Sequence, residues 1–233
     1  MAFVLQNSNH VIQQRLLMDK ELKEVFDRIK HELTHLYMRW IIYKQLYGTS
    51  AYRLELLNKT TSNVFTELQW LLIDNMILSL SKLTDSAEMR GNWNLSLEYL
   101  LDEIQKINKN ELPDELRSVL KELNDSIEHF RSIRNKRIAH NDLAVAIDNE
   151  ESPLPGVSRD DITKALELVM NFLNKIEYHY FDSTTQYDMT ILPLTNDGRA
   201  LLIWLQKALA YEQLEDAGLI EYGYWRSLGK IDA

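Results

Sequence analysis

With 233 residues, 45% of them hydrophobic and 26% charged, the chain is long enough to bury a sizeable core and too apolar to stay disordered. It has no cysteine, which excludes disulfides, thiolate metal sites and cysteine nucleophiles. Its net charge of −9 argues against a protein that coats nucleic acid non-specifically, so any such contact must be local.

Glycine (7) and proline (4) are scarce, which favours long helices over frequent turns. The N-terminus, MAFVLQNSNH, has too short an apolar run and no basic flank for a signal peptide. No apolar stretch reaches about 18 residues, so no membrane span or membrane partner is expected, and the reading is cytoplasmic. From about residue 9 to 47, Leu22, Phe26, Ile29, Leu33, Leu36, Trp40 and Tyr43 fall three or four apart, predicting a long first helix that Gly48 ends. A second runs from about 50 to 83 on Leu54, Leu57, Val64, Leu68, Leu71, Ile73 and Leu80. Its half from Leu68 to Leu83 is apolar nearly all round, predicting a central buried helix, with Trp40 and Trp70 packed in the core.

After Thr84 a loop with Gly91 leads to a short third helix, capped by Asn94 or Ser96 and ending near Ile107. Pro113 suits the first position of a fourth helix, whose stripe of Leu116, Leu120, Leu123, Ile127 and Phe130 continues onto Arg134. An arginine there is either a stem lying along the surface or a charge aimed into an interface. Residues 141–158, with NEESPLPG inside, read as a linker. Ser158 caps a fifth helix to about Tyr180, and a sixth spans roughly 196–216, stopping at Gly218. No strand-period segment exceeds Asp188 to Leu192. The fold class is all-α: one domain over 1–233, a bundle of long helices with a C-terminal helical appendage from about 190.

Two motifs carry chemistry. His31-Glu32-Leu33-Thr34-His35 matches H-E-x-x-H, in which two histidines one turn apart hold zinc and the glutamate is general base. Against it, position 41 is Ile41 rather than a third ligand, and Glu55 and Glu67 lack a supporting motif. His31 and His35 also lie off the apolar stripe, on the face of Glu24 and Arg28, where no sheltered cleft is expected. A zinc peptidase is therefore the third reading, and no metal or other cofactor is the expectation. The second motif, RSIRNKRIAHND over residues 131–142, sets Arg131, Arg134, Lys136 and Arg137 in seven positions of an acidic chain, followed by His140. An arginine to hold a phosphate and a histidine to move a proton suffice to cut RNA without a metal. The bland alternative is a basic helix end complementing its macrodipole. His129, beside Phe130, is a further candidate, while Asn58-Lys59-Thr60 and Asn94-Leu95-Ser96 are accidental glycosylation sequons.

RNKRIAHND resembles the signature of the HEPN superfamily, an arginine often followed by a polar residue and, after a short variable spacing, a histidine. Here Asn135 follows Arg134, and five residues separate Arg134 from His140, one more than the commonest form. The long first and second helices, Leu83-Thr84-Asp85 and IRNKRIAHNDL before a linker are similar to the abortive-infection U (AbiU-like) branch over about residues 10–180. The resemblance implies a HEPN-like bundle of long antiparallel helices and a metal-independent endoribonuclease acting in phage defence or as a toxin. Two copies of the motif would line one cleft of a homodimer, restrained by an antitoxin or regulatory partner. It further implies His140 as general base or acid and Arg134 as ligand of the scissile phosphate. Asn135, Arg137 and Asn141 would support them, with Arg131 and Lys136 on the RNA. On an ideal helix Arg134 and His140 sit about 120° apart, so they converge only if the helix ends or distorts near Ile138, or across a two-fold axis. Arg137, three residues from His140, is an alternative phosphate ligand. A non-catalytic RNA-binding or dimerisation module is the alternative function.

Overall fold

The computed structural model describes residues 18–48, 50–108, 110–139, 156–189, 192–193 and 195–229. The start of the expected first helix and most of the expected linker lie outside them. The described chain is helical almost throughout: α1 (Lys20–Tyr47), α2 (Ala51–Leu83), α3 (Leu97–Ile107), α4 (Leu112–Ser126), α5 (Glu128–Ile133), α6 (Arg159–Phe181), α7 (Gly198–Asp216) and the single turn α8 (Trp225–Leu228). No helix among the described residues is long and apolar enough to cross a membrane. The chain divides into two compact units, Met1–Arg39 with Leu72–Thr190 and Trp40–Leu71 with Ile191–Ala233.

In the first unit, α4 packs along α6 and against α3. Each helix turns its three-and-four stripe inward: Phe26, Ile29 and Leu33 from α1, Met76 and Leu80 from α2, Leu116 and Leu123 from α4, Leu166, Phe172 and Ile176 from α6. Burial of each such side chain contributes about 1.5–3 kcal/mol. The buried Glu177 carboxylate is paired, as low dielectric demands: Lys30 Nζ donates to Glu177 Oε1 at 2.7 Å, and Thr185 Oγ1 to Glu177 Oε2 at 2.9 Å. Ser158 caps α6 through a full capping box with Asp161, and Ser96, not Asn94, caps α3 by accepting from Tyr99 N at 3.3 Å.

The expected loop after Thr84 contains a minimal hairpin, β1 (Glu88–Met89) paired antiparallel with β2 (Asn92–Trp93). Its two-residue turn requires positive φ at both centres, supplied by Arg90 (55°) and Gly91 (82°). Asp188 to Leu192 is not a strand where it is described; Tyr187–Met189 form a 3₁₀ turn. Pro113 is the second residue of α4, after Leu112. The expected fourth helix is also broken, because Ile127 (φ −111°, ψ 15°) leaves the helical region and starts α5 on a new phase.

In the second unit the ring of Trp40 stacks on Tyr43 with centroids 5.0 Å apart, and Tyr43 meets Tyr47 in a tilted pair at 5.3 Å. Tyr47 donates its hydroxyl to Phe65 O at 2.9 Å, and burial pushes its pKa up to about 12. Asp197 caps α7 by accepting from Ala200 N, and also accepts from Gln45 and Arg199. Burial alone would raise its pKa; these bonds win and hold it below the usual carboxylate value. Gly198 sits at a close approach, where a Cβ would meet Gln45 side-chain atoms at 3.0 Å and force them to shift. The early part of α2 departs from expectation. Thr61 (φ −143°, ψ 72°) kinks the helix, next to Thr60, whose hydroxyl bonds Leu56 O and Leu57 O. Leu54, Val64 and Leu68 are exposed, and so are Trp70 (55%) and Leu71 (62%), so Trp70 is not a core residue. Only the later part of α2, with Met76, Ile77, Leu80 and Leu83, is the buried helix that the composition predicts.

Candidate functional site

The basic segment is organised by the end of α2. A helix C-terminus leaves carbonyls without intrahelical partners and carries the negative end of the macrodipole. Just past it, Thr84 folds its hydroxyl back onto Leu80 O and Ser81 O, and Asp85 follows. The new phase begun at Ile127 buries Phe130 and Ile133, so Ile133 takes the apolar place that the unbroken stripe assigns to Arg134. The arginines then meet the α2 end. Arg131 Nη2 donates to Thr84 O at 2.8 Å and to Asn124 Oδ1 at 2.6 Å. Arg134 Nη1 donates to Asp85 Oδ1 at 2.7 Å, while its Nε donates to Asn135 Oδ1 at 3.1 Å. Arg134 is thus paired within its own unit, with side-chain exposures of 17% for Arg134 and 21% for Asp85.

Arg137 pairs with Asp74, one of the last turns of α2, in a more open setting, with exposures of 36% and 32%. Burial raises the Asp74 carboxyl above its usual value, an effect that Arg137 partly offsets. Lys136 is exposed and makes no ion pair among the described residues. The segment Arg134–Ile138 is a π-turn, closed by Ala139 N donating to Arg134 O at 2.7 Å. The backbone thus leaves regular α-helix geometry over Arg134–Ile138. His140 and Asn141 themselves lie outside the described residues.

A family comparison bears on this arrangement. The family model HEPN_AbiU2, described as AbiU2, matches residues 19–201. The chain belongs to the AbiU2 family of HEPN domains. No curated protein and no solved structure matches it. The AbiU2 match takes in the whole of the α2 end, the hairpin and the π-turn, and its helical fold agrees with the all-α bundle read from the sequence.

Outside the AbiU2 motif, the other expected site is divided. His31 Nε2 and His35 Nε2 lie 3.3 Å apart on the solvated side of α1. Glu32, expected as their general base, lines a separate cavity with Leu36 and Asp85. No group of three or more His, Asp or Glu residues that could hold a metal occurs among the described residues. His129 Nε2 lies 3.6 Å from the Asp161 carboxylate, tying α5 to the first turn of α6. That carboxylate is held low, first by the Ser158 backbone N–H and also by the nearby His129. Asp74 and Asp85 are the residues that sequence reading missed as members of the site. Asp85 stood in the Leu83-Thr84-Asp85 resemblance without a role, and nothing in the local pattern singles out Asp74.

Proposed function

We propose that this AbiU2-family chain is a metal-independent endoribonuclease of the HEPN type, an abortive-infection or toxin-like effector that cuts cellular RNA in the cytoplasm. The observation that carries the reading is the seating of Arg134. A guanidinium held by Asp85 and Asn135 on the first residue of a π-turn is oriented before any ligand arrives, as transition-state stabilisation requires. Its remaining N–H groups suit the two oxygens of a scissile phosphate. His140 takes the proton of the ribose 2′-hydroxyl; the 2′-oxygen attacks phosphorus, the P–O5′ bond breaks, and the 5′-oxygen leaves with a proton from the histidine imidazolium of the same or the paired copy. Products are a 2′,3′-cyclic phosphate and a 5′-hydroxyl. Arg137 is the second phosphate ligand, Lys136 and Arg131 serve the RNA strand, and Asn141 supports His140. The motif helices of two copies pair in a homodimer, and a regulatory partner or antitoxin restrains the activity.

One observation favours the second reading, a non-catalytic RNA-binding or dimerisation module: Arg131, Arg134 and Arg137 each already have an acceptor inside the chain. The test is cleavage of labelled tRNA and mRNA by purified protein in EDTA, wild type beside His140→Ala. Cutting that leaves cyclic-phosphate ends and disappears in the variant supports the ribonuclease. RNA bound but left intact by folded wild-type protein supports the module.

A further inference from the structure

A cavity of about 450 Å³ opens beside the motif, walled by α1, the end of α2 and the segment before α3. That volume falls within the range of small-molecule sites, about 300–1,000 Å³. Its apolar lining comes from Leu36, Leu83 and the exposed Leu95. Its polar lining includes Glu32, Lys82, Asp85 and Asn94. A cavity lined by both apolar side chains and carboxylate and amide groups can accept an aromatic ring that carries N–H donors on its rim. Asp85 belongs to both this cavity and the motif: one carboxylate oxygen receives Arg134 at 2.7 Å while the side chain lines the cavity. A phosphate on Arg134 therefore leaves its own nucleotide's base, or the next, within reach of the cavity. Lys82 adds a cation to offset the carboxylates as an anionic strand approaches.

We infer that this cavity is a nucleobase subsite selecting bases with an exocyclic amino group, guanine, adenine or cytosine, over uracil, with Glu32 as the specificity-determining residue. The inference rests on the ribonuclease reading for its biological use, but base binding is measurable without cleavage. Glu32 is suited to the part because it is exposed and has no ion pair among the described residues, so its acceptor oxygens are not committed to a cation. Uracil offers its single ring N–H between two carbonyl oxygens, which a carboxylate repels. The amino-bearing bases present an N–H₂ group that it accepts.

The experiment is titration of the full chain with 3′-GMP, 3′-AMP, 3′-CMP and 3′-UMP by calorimetry, for wild type and Glu32→Gln, with RNA cleavage assayed alongside. At least one amino-bearing nucleotide should bind about tenfold tighter than 3′-UMP, the effect of a hydrogen bond to a charged acceptor, and Glu32→Gln should erase the difference. Equal binding of all four, or a ranking that survives Glu32→Gln, overturns the subsite even if RNA is cut. A Glu32-dependent ranking in a protein that cuts no RNA upholds the subsite and counts against the ribonuclease reading instead.

Discussion

His31-Glu32-Leu33-Thr34-His35 and the segment from Arg131 to Arg137 look equally suggestive as strings, yet the fold treats them in opposite ways. His31 is exposed and His35 half-buried, their Nε2 atoms lie 3.3 Å apart, and Glu32 lines a different cavity. The arginines are gripped by another element: Thr84, Asp85 and Asp74 accept from Arg131, Arg134 and Arg137. A short motif becomes a site when residues distant in sequence fix its side chains, because orientation is what a reacting group needs and a lone helix face does not provide it.

The largest expected break in that comparison is Asp85→Asn. It removes the charge that holds a largely buried guanidinium, so RNA cleavage should fall at least tenfold, and stability in urea should drop by about 1–3 kcal/mol, the cost of stranding a buried donor. Unchanged cleavage and unchanged midpoint would mean that Arg134 is seated by Asn135 and packing alone. Arg131→Ala comes next: Thr84 O and Asn124 lose their donor, at about 1 kcal/mol in the same denaturation, and the α2 end should show faster amide exchange.

Asp74→Asn tests the more open pair and should go the other way. The Asp74 carboxyl titrates above its usual value, so the folded state binds its proton more tightly than the unfolded chain. Stability from this group is therefore fullest in acid and declines as pH rises through the raised pKa. At neutral pH the charge is a small cost, and the amide should be neutral or stabilising by less than about 1 kcal/mol in this solvent-screened setting. A clear loss of stability at pH 7 would show that the attraction of Arg137 outweighs burial. The smallest effect belongs to His31→Ala with His35→Ala, one exposed and one half-buried side chain, which together should shift stability by no more than about 0.5 kcal/mol and leave EDTA-resistant cleavage intact. Loss of that cleavage would reverse the ranking of the two motifs.

The helices were legible because burial imposes the three-and-four period on α1, α4 and α6, and because Ser96, Ser158 and Gly48 act locally as caps and stops. Trp70 and Leu71 misled for the complementary reason: hydrophobicity reports what a residue prefers, and which side of α2 is covered depends on partners that periodicity does not name. Arg134 was legible as a departure from the stripe, but its resolution was not. The break at Ile127 shifts the phase and gives the inward place to Ile133, a change set by packing across elements. Asp85 and Asp74 enter through tertiary geometry alone, forty-nine and sixty-three positions from their arginines.

The π-turn has a consequence for how this motif tolerates change in length. In a regular helix the carbonyl of Arg134 would receive the amide four positions on; here it receives Ala139, five on, so the turn stores one surplus residue. The spacing from Arg134 to His140 is also longer than the commonest HEPN form by one. Removing a single residue between Asn135 and Arg137 would then let the turn relax to ordinary α-helix without displacing what lies on either side. Motif lengths that differ by one along such a family would be interchangeable states of one helical register rather than different sites.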